Sequence, residues 1–99
     1  MKIDILPSAR NDLANGFAFY DHQEEGLGSY FLESLFSDID SLRLYGGIHV
    51  KVFGSYRLLS KRFPYAVYYS LEGKTVTVEA VLDCRRDPQE TSSRLVTPE

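Results

Sequence analysis

The sequence predicts an α+β domain in the order β-α-α-β-β-β, a helical hairpin packed on an antiparallel sheet. Three observations lead there. The apolar period changes from about 3.6 residues to 2 near residue 50. From Thr75 to Leu82 the chain alternates, with Val76, Val78, Ala80 and Leu82 on one side and Thr75, Thr77 and Glu79 on the other. Two turn signals, Pro64 and Glu72-Gly73-Lys74, divide the stretch from Ser55 to Pro88 into three strands.

Taken in order, Lys2 to Leu6 alternates Ile3 and Ile5 with Lys2 and Asp4, and reads as a short strand stopped by Pro7. Ser8 is the expected N-cap of a first helix, with Asp12 complementing its dipole. Ala9, Leu13, Phe17 and Tyr20 form its apolar stripe. Gly16 weakens that helix or marks close packing against the next. Asp21 to Glu25 reads as its solvated end.

Gly26-Leu27-Gly28 breaks the pattern, and a second helix is expected from about Ser29 to Leu44. Phe31, Leu35, Ile39 and Leu42 form its stripe, supported by Leu27 and Phe36. The short link implies an antiparallel hairpin. Tyr45 to Gly54 reads as a loop with an extended middle. Strands follow at Tyr56–Phe63, Tyr65–Leu71 and Thr75–Leu82. Residues 1–88 form one domain, and residues 89–99 read as a loosely held polar tail in which Leu95 and Val96 could pack.

The chain has 99 residues, enough for one modest core without disulfides. Its single cysteine, Cys84, suits a reducing compartment. No run approaches a membrane span and the first ten residues lack a signal peptide's apolar core, so a soluble cytoplasmic protein is expected. A net charge of -3 gives no overall basic field for nucleic acid. The charge is uneven, however. Residues 1–50 hold three basic and eight acidic side chains, and residues 51–99 hold eight basic and six acidic. An anionic partner would therefore meet the sheet half.

No metal or cofactor is expected. Cys84, His22 and His49 are too few and wrongly spaced for metal ligands, and there is no Gly-rich phosphate loop. Cys84 reads as a small core residue closing a buried strand. His49 could serve as an acid or base, but nothing in the sequence orients it. Two basic clusters remain. Arg57, Lys61 and Arg62 lie on the first strand of the meander, where Arg57 and Lys61 would share a face. Arg85 and Arg86 follow the last strand and could clamp a phosphate or carboxylate, unless Asp87 pairs with one of them.

The element order, Arg62-Phe63-Pro64-Tyr65-Ala66-Val67-Tyr68-Tyr69, Val81-Leu82-Asp83-Cys84 and the closing Arg85-Arg86-Asp87-Pro88 together resemble the RelE/ParE superfamily of bacterial toxins from type II toxin–antitoxin pairs. Tyr20 and Gly26-Leu27-Gly28 look like its ParE-like, plasmid stabilisation branch. The resemblance spans Ile3 to Pro88 and implies a cognate antitoxin as partner. It also implies one of two activities. RelE-like members cut messenger RNA on the ribosome, with lysines and arginines around the scissile phosphate. ParE-like members are described as poisoning DNA gyrase through protein contact.

Against the nuclease pattern, Arg57 and Arg85 match basic positions, and Lys61 is the other candidate catalytic cation. Leu59 fills a lysine position, Ala66 fills an arginine position, and no tyrosine follows Arg86. The expected function is therefore a ParE-like toxin, with Arg57, Lys61, Arg62, Arg85 and Arg86 contacting target or antitoxin. The alternatives are a ribosome-dependent endoribonuclease and a degenerate toxin that only binds its antitoxin.

Overall fold

The computed structural model describes residues 1–96. The elements run β1 (Lys2–Ile5), α1 (Pro7–Gln23), α2 (Leu27–Asp40), α3 (Leu42–Tyr45), β2 (Lys51–Val52), β3 (Ser55–Leu59), β4 (Tyr65–Glu72), β5 (Thr75–Asp83) and α4 (Pro88–Val96). The five strands form one sheet in the order β1-β5-β4-β3-β2. Strands β3 to β5 form the expected antiparallel meander, β2 adds a further antiparallel strand from the stretch expected as a loop, and β1 pairs with β5 in parallel, so the sheet is mixed. The chain between them runs from α1 through β4, far longer than the crossover that a parallel pair needs. No helix among the described residues is long and apolar enough to cross a membrane.

The helical hairpin covers one face of the sheet. Ala9, Leu13, Gly16 and Tyr20 of α1 are buried, together with Phe31, Leu35 and Ile39 of α2. They meet Tyr65, Val67, Tyr69, Val76, Val78 and Val81 in the main core. Gly16 is a close-approach position, because a Cβ there would lie 2.4 Å from Cζ of Phe31. Ser8 does not cap α1. The helix begins at Pro7, whose fixed φ suits the first turn, and the Ser8 hydroxyl donates instead to the Glu79 carbonyl at 3.2 Å. Asp21 is not merely solvated. Its Oδ1 accepts from the amides of Gly26 and Gly28 at 3.0 and 3.2 Å and so organises the start of α2, where Gly26 takes φ 91°.

The expected second helix is broken at Ser41. Its hydroxyl donates to the Asp38 carbonyl at 2.6 Å, a local bond that competes with the helical ladder. Leu42 still reaches the core, whereas Phe36 is 46% exposed and does not support the stripe.

The third strand is shorter than expected. β3 ends at Leu59, and the chain then bends through Ser60 to Pro64. The Ser60 hydroxyl donates to the buried Asp38 carboxylate at 2.8 Å. Phe63 packs edge-on against Tyr20 and Phe31, so the bend is held on the hairpin.

The alternation along β5 changes phase partway. Tyr68 pairs with Ala80 and Tyr69 with Val78, which leaves Glu79 as the extra residue of a β-bulge. Val76, Val78 and Val81 consequently enter the main core, while Ala80 and Leu82 turn to the opposite face. The four apolar residues expected on one face are therefore divided between two. On the second face Ala80 and Leu82 join Ala66 and Tyr68, partly covered by Val52 and Leu95.

Leu95 belongs to α4, which replaces the expected loose tail over residues 88–96; residues 97–99 lie outside the described residues. Asp87 starts this helix, with its Oδ1 accepting from the Gln89 amide at 2.9 Å. Thr91 is buried.

Candidate functional site

The turn between β3 and β4 and the segment after β5 meet at one end of the sheet. Tyr65 is paired with Asp83, and the Cys84 amide donates to the Pro64 carbonyl at 2.7 Å. Four of the five expected contact residues, Lys61, Arg62, Arg85 and Arg86, are brought to this end and are exposed. Exposed rings of Phe19 and Tyr30 flank it, each packed against the aromatic cluster that holds the turn.

Arg57 approaches this group from the second face, close enough to Cys84 to oppose the burial that raises its thiol. It pairs across the strands with Tyr68, which belongs to the second face of the sheet. Burial pushes the Tyr68 hydroxyl above its usual range, and the Arg57 guanidinium beside it acts in the opposite direction. Arg57 and Lys61 do not share a strand face, because the strand ends at Leu59 before Lys61 is reached. Cys84 follows β5 and is exposed, so it is not the core residue expected.

The four cations at the basic end are not equivalent. Arg85 is bound by Asp83 in a fork, Nε to Oδ1 at 2.9 Å and Nη2 to Oδ2 at 2.7 Å, with the Arg85 amide also on Oδ1 at 2.8 Å. These bonds hold the Asp83 carboxyl below the usual carboxylate range. Asp87, the partner considered from sequence, caps α4 instead. Among the described residues, Lys61, Arg62 and Arg86 make no ion pair. Burial raises the phenols of Tyr20 and Tyr65 above their ordinary values, with Arg85 opposing the shift at both, so they remain neutral donors.

Arg86 stands at a groove of about 460 Å³ between α1 and the end of β5. Asn11, Asn15, Phe19 and Tyr65 line it, and Asp12 and Arg94 close one side. The groove runs where helix meets sheet and is edged by Arg86 and Arg94; Arg57 and Lys61, two of the expected contact residues, do not line it. Sequence reasoning missed Asp12, Asp83 and Arg94. Asp83 was legible as a neighbour two residues from Arg85. Asp12 and Arg94 lie 82 residues apart, and no local signal connects them.

His49, the other candidate acid or base, is held elsewhere. Its Nδ1 bonds the Tyr69 hydroxyl, which also accepts from the Gly47 amide at 2.9 Å. Tyr69 lies four residues beyond Tyr65 along β4, roughly 13 Å at the rise of a strand. Burial keeps the His49 imidazole below its ordinary pKa. The basic end thus offers cations and aromatic surface, and His49 does not supply it with a base. No group of three or more metal-ligating side chains is found among the described residues.

No protein-family model matches this chain, and no curated protein matches it. Its fold does have a solved counterpart. A chain from a structure described as "Chromosomal ParDE TA system from P. aeruginosa" superposes with a TM-score of 0.73 at 16% identity, over 82% of this chain and 92% of that one. The likeness shows the α+β fold that the resemblance in sequence implied, with helices packed on a sheet.

Proposed function

We propose that this chain is the toxin component of a type II toxin–antitoxin pair, of the ParE-like kind. In this reading it acts by protein contact through its basic end and is neutralised by a cognate antitoxin. DNA gyrase is the target that branch suggests. The fold shared with a chain of a ParDE system supports the assignment to this kind of pair.

The observation that carries the choice of mechanism is the division of the cations. Cleaving RNA without a metal requires several cations and a base around one phosphate. Here Arg57 lies on the second face, Arg85 is bound in a fork by Asp83, and His49 is bonded to Tyr69. What projects freely is Lys61, Arg62 and Arg86 beside exposed Phe19 and Tyr30. Unpaired cations next to aromatic surface suit an acidic protein partner with an apolar anchor.

The antitoxin is assigned to the groove between α1 and β5, where Arg86 favours an acidic segment and Phe19 an apolar one, while Arg94 is committed to Asp12. The test is growth on expression of the chain alone and together with the product of the adjacent gene. Arrest relieved by co-expression, with the two proteins co-purifying, is expected. Unimpaired growth at high expression, or two well-expressed products that do not associate, contradicts the proposal.

A further inference from the structure

The sheet has an open edge at β1. In the parallel pairing with β5, the Lys2 amide donates to the Lys74 carbonyl at 2.9 Å and the Leu6 amide to the Val78 carbonyl at 3.0 Å. This register turns Lys2, Asp4 and Leu6 towards β5 and leaves the amide and carbonyl of Ile3 facing outward. β1 is the outermost strand of the sheet, so no described strand takes up those groups. At the far end of the strand Arg10 Nε already occupies the Ile5 carbonyl at 3.1 Å, which centres the available pairing on Ile3.

A groove of about 500 Å³ runs beside this edge and is open to solvent, with Ile3, Ile5 and Phe36 on its apolar side and Glu33, Asp40 and Arg43 among its charged lining. Phe36 of α2 overhangs it and is 46% exposed. An unprotected edge beside apolar surface is a template for another strand. The side chains on β1 select which one.

We propose that this edge pairs two copies of the chain, antiparallel and about a two-fold axis through Ile3. In that register Ile3 of one copy faces Ile3 of the other as a hydrogen-bonded pair, exchanging both outward groups. Lys2 of each copy then faces Asp4 of its mate, and the edge is self-complementary in charge. A register centred on Asp4 would set like charges opposite each other and is disfavoured. An axis normal to the sheet keeps both helical layers on the same side, so the Ile3 and Ile5 side chains of both copies lie beneath Phe36. The interface is isologous and closes as a dimer rather than a fibre.

Sedimentation velocity of the purified chain, from micromolar to submillimolar concentration, tests this. A concentration-dependent dimer is expected. Within one chain Lys2 and Asp4 make only a long ion pair of 3.9 Å with side chains 72% and 50% accessible, so their exchange does not threaten folding. Lys2→Asp and Asp4→Lys should each weaken the dimer by roughly tenfold, from two like-charge pairs replacing two opposite ones. The double exchange restores the pairing and should return dimerisation to its original level. A monomer at every concentration overturns the proposal. So does a dimer indifferent to the two single exchanges, or one that the double exchange fails to restore.

Discussion

Arg94 of α4 and Asp12 of α1 form a two-bond ion pair, with Nη1 to Oδ1 at 3.0 Å and Nη2 to Oδ2 at 2.8 Å. Oδ2 of Asp12 also accepts from the Val81 amide at 3.0 Å. One carboxylate thereby joins the first helix, the stretch of β5 that extends beyond β1, and the last helix. Its side chain is only 9% exposed, so removing a partner leaves a desolvated charge.

Arg94→Ala should therefore cost about 1–3 kcal/mol, the range for losing a charged hydrogen bond to a poorly solvated group. The loss should be local. Hydrogen exchange is expected to rise across Pro88–Val96 and to stay low in β4. Uniform acceleration through the core would show that α4 is integral to the main fold rather than held on by this pair.

Gly16→Ala should destabilise the protein although alanine is the better helix former by about 1 kcal/mol. The new methyl would meet the Phe31 ring at 2.4 Å, and that ring is fully buried among Tyr20, Phe63 and Tyr65. Overpacking of this kind costs about 1–3 kcal/mol. Phe31→Leu should recover part of it in the double variant. Denaturant unfolding of the two single variants and the double variant measures the coupling.

Burial of His49 against Tyr69 predicts a pH dependence. The Gly47 amide donates to the Tyr69 hydroxyl, whose own proton is then free for Nδ1 of a neutral His49. Burial lowers the folded imidazole's pKa. A lowered folded pKa means the contribution is fully present above the unfolded value, about 6.5. It is lost as pH falls through the folded value. Stability should accordingly fall as pH drops from about 6.5, and Tyr69→Phe should lower stability at neutral pH while leaving that burial-driven slope in place. A resonance assigned to His49 and titrating above about 6.5 would contradict this account.

The basic end makes a prediction by position. Arg62→Glu and Arg86→Glu reverse cations that no described residue pairs, and should relieve growth arrest without lowering the melting temperature. Arg85→Ala should act differently. It frees Asp83, whose carboxyl then returns towards its ordinary pKa, and it disturbs the packing around Tyr20. Arg57→Ala, on the second face, should leave arrest intact. Growth assays scored beside soluble yield separate these cases.

Much of this architecture was legible because side-chain period follows backbone geometry. Ala9, Leu13 and Tyr20 recur at helical spacing and are buried, and Val76 and Val78 alternate and are buried. The reading failed where a single residue changes the geometry without changing the pattern. Glu79 is an ordinary polar residue in an alternating run, yet as a bulge it sends Ala80 and Leu82 to the other face. Ser41 likewise interrupts α2 through one hydroxyl bond. The last helix carried a signal that was overlooked: Asp87-Pro88 followed by Glu90 has the N-cap, first-turn proline and N3 glutamate of a helix start. The arginines were legible as a group. Their inequality was not, because it depends on which carboxylate each one meets.

The central claim is that the chain acts by protein contact and not by cutting RNA. Primer extension on messenger RNA in a reconstituted translation reaction, run beside a gyrase supercoiling assay with the same preparation, tests it most directly. The account predicts intact message and inhibition of supercoiling that Arg86→Glu abolishes and Arg57→Ala does not. Codon-positioned cuts that vanish in Arg57→Ala or Arg85→Ala, with supercoiling unaffected, would contradict it.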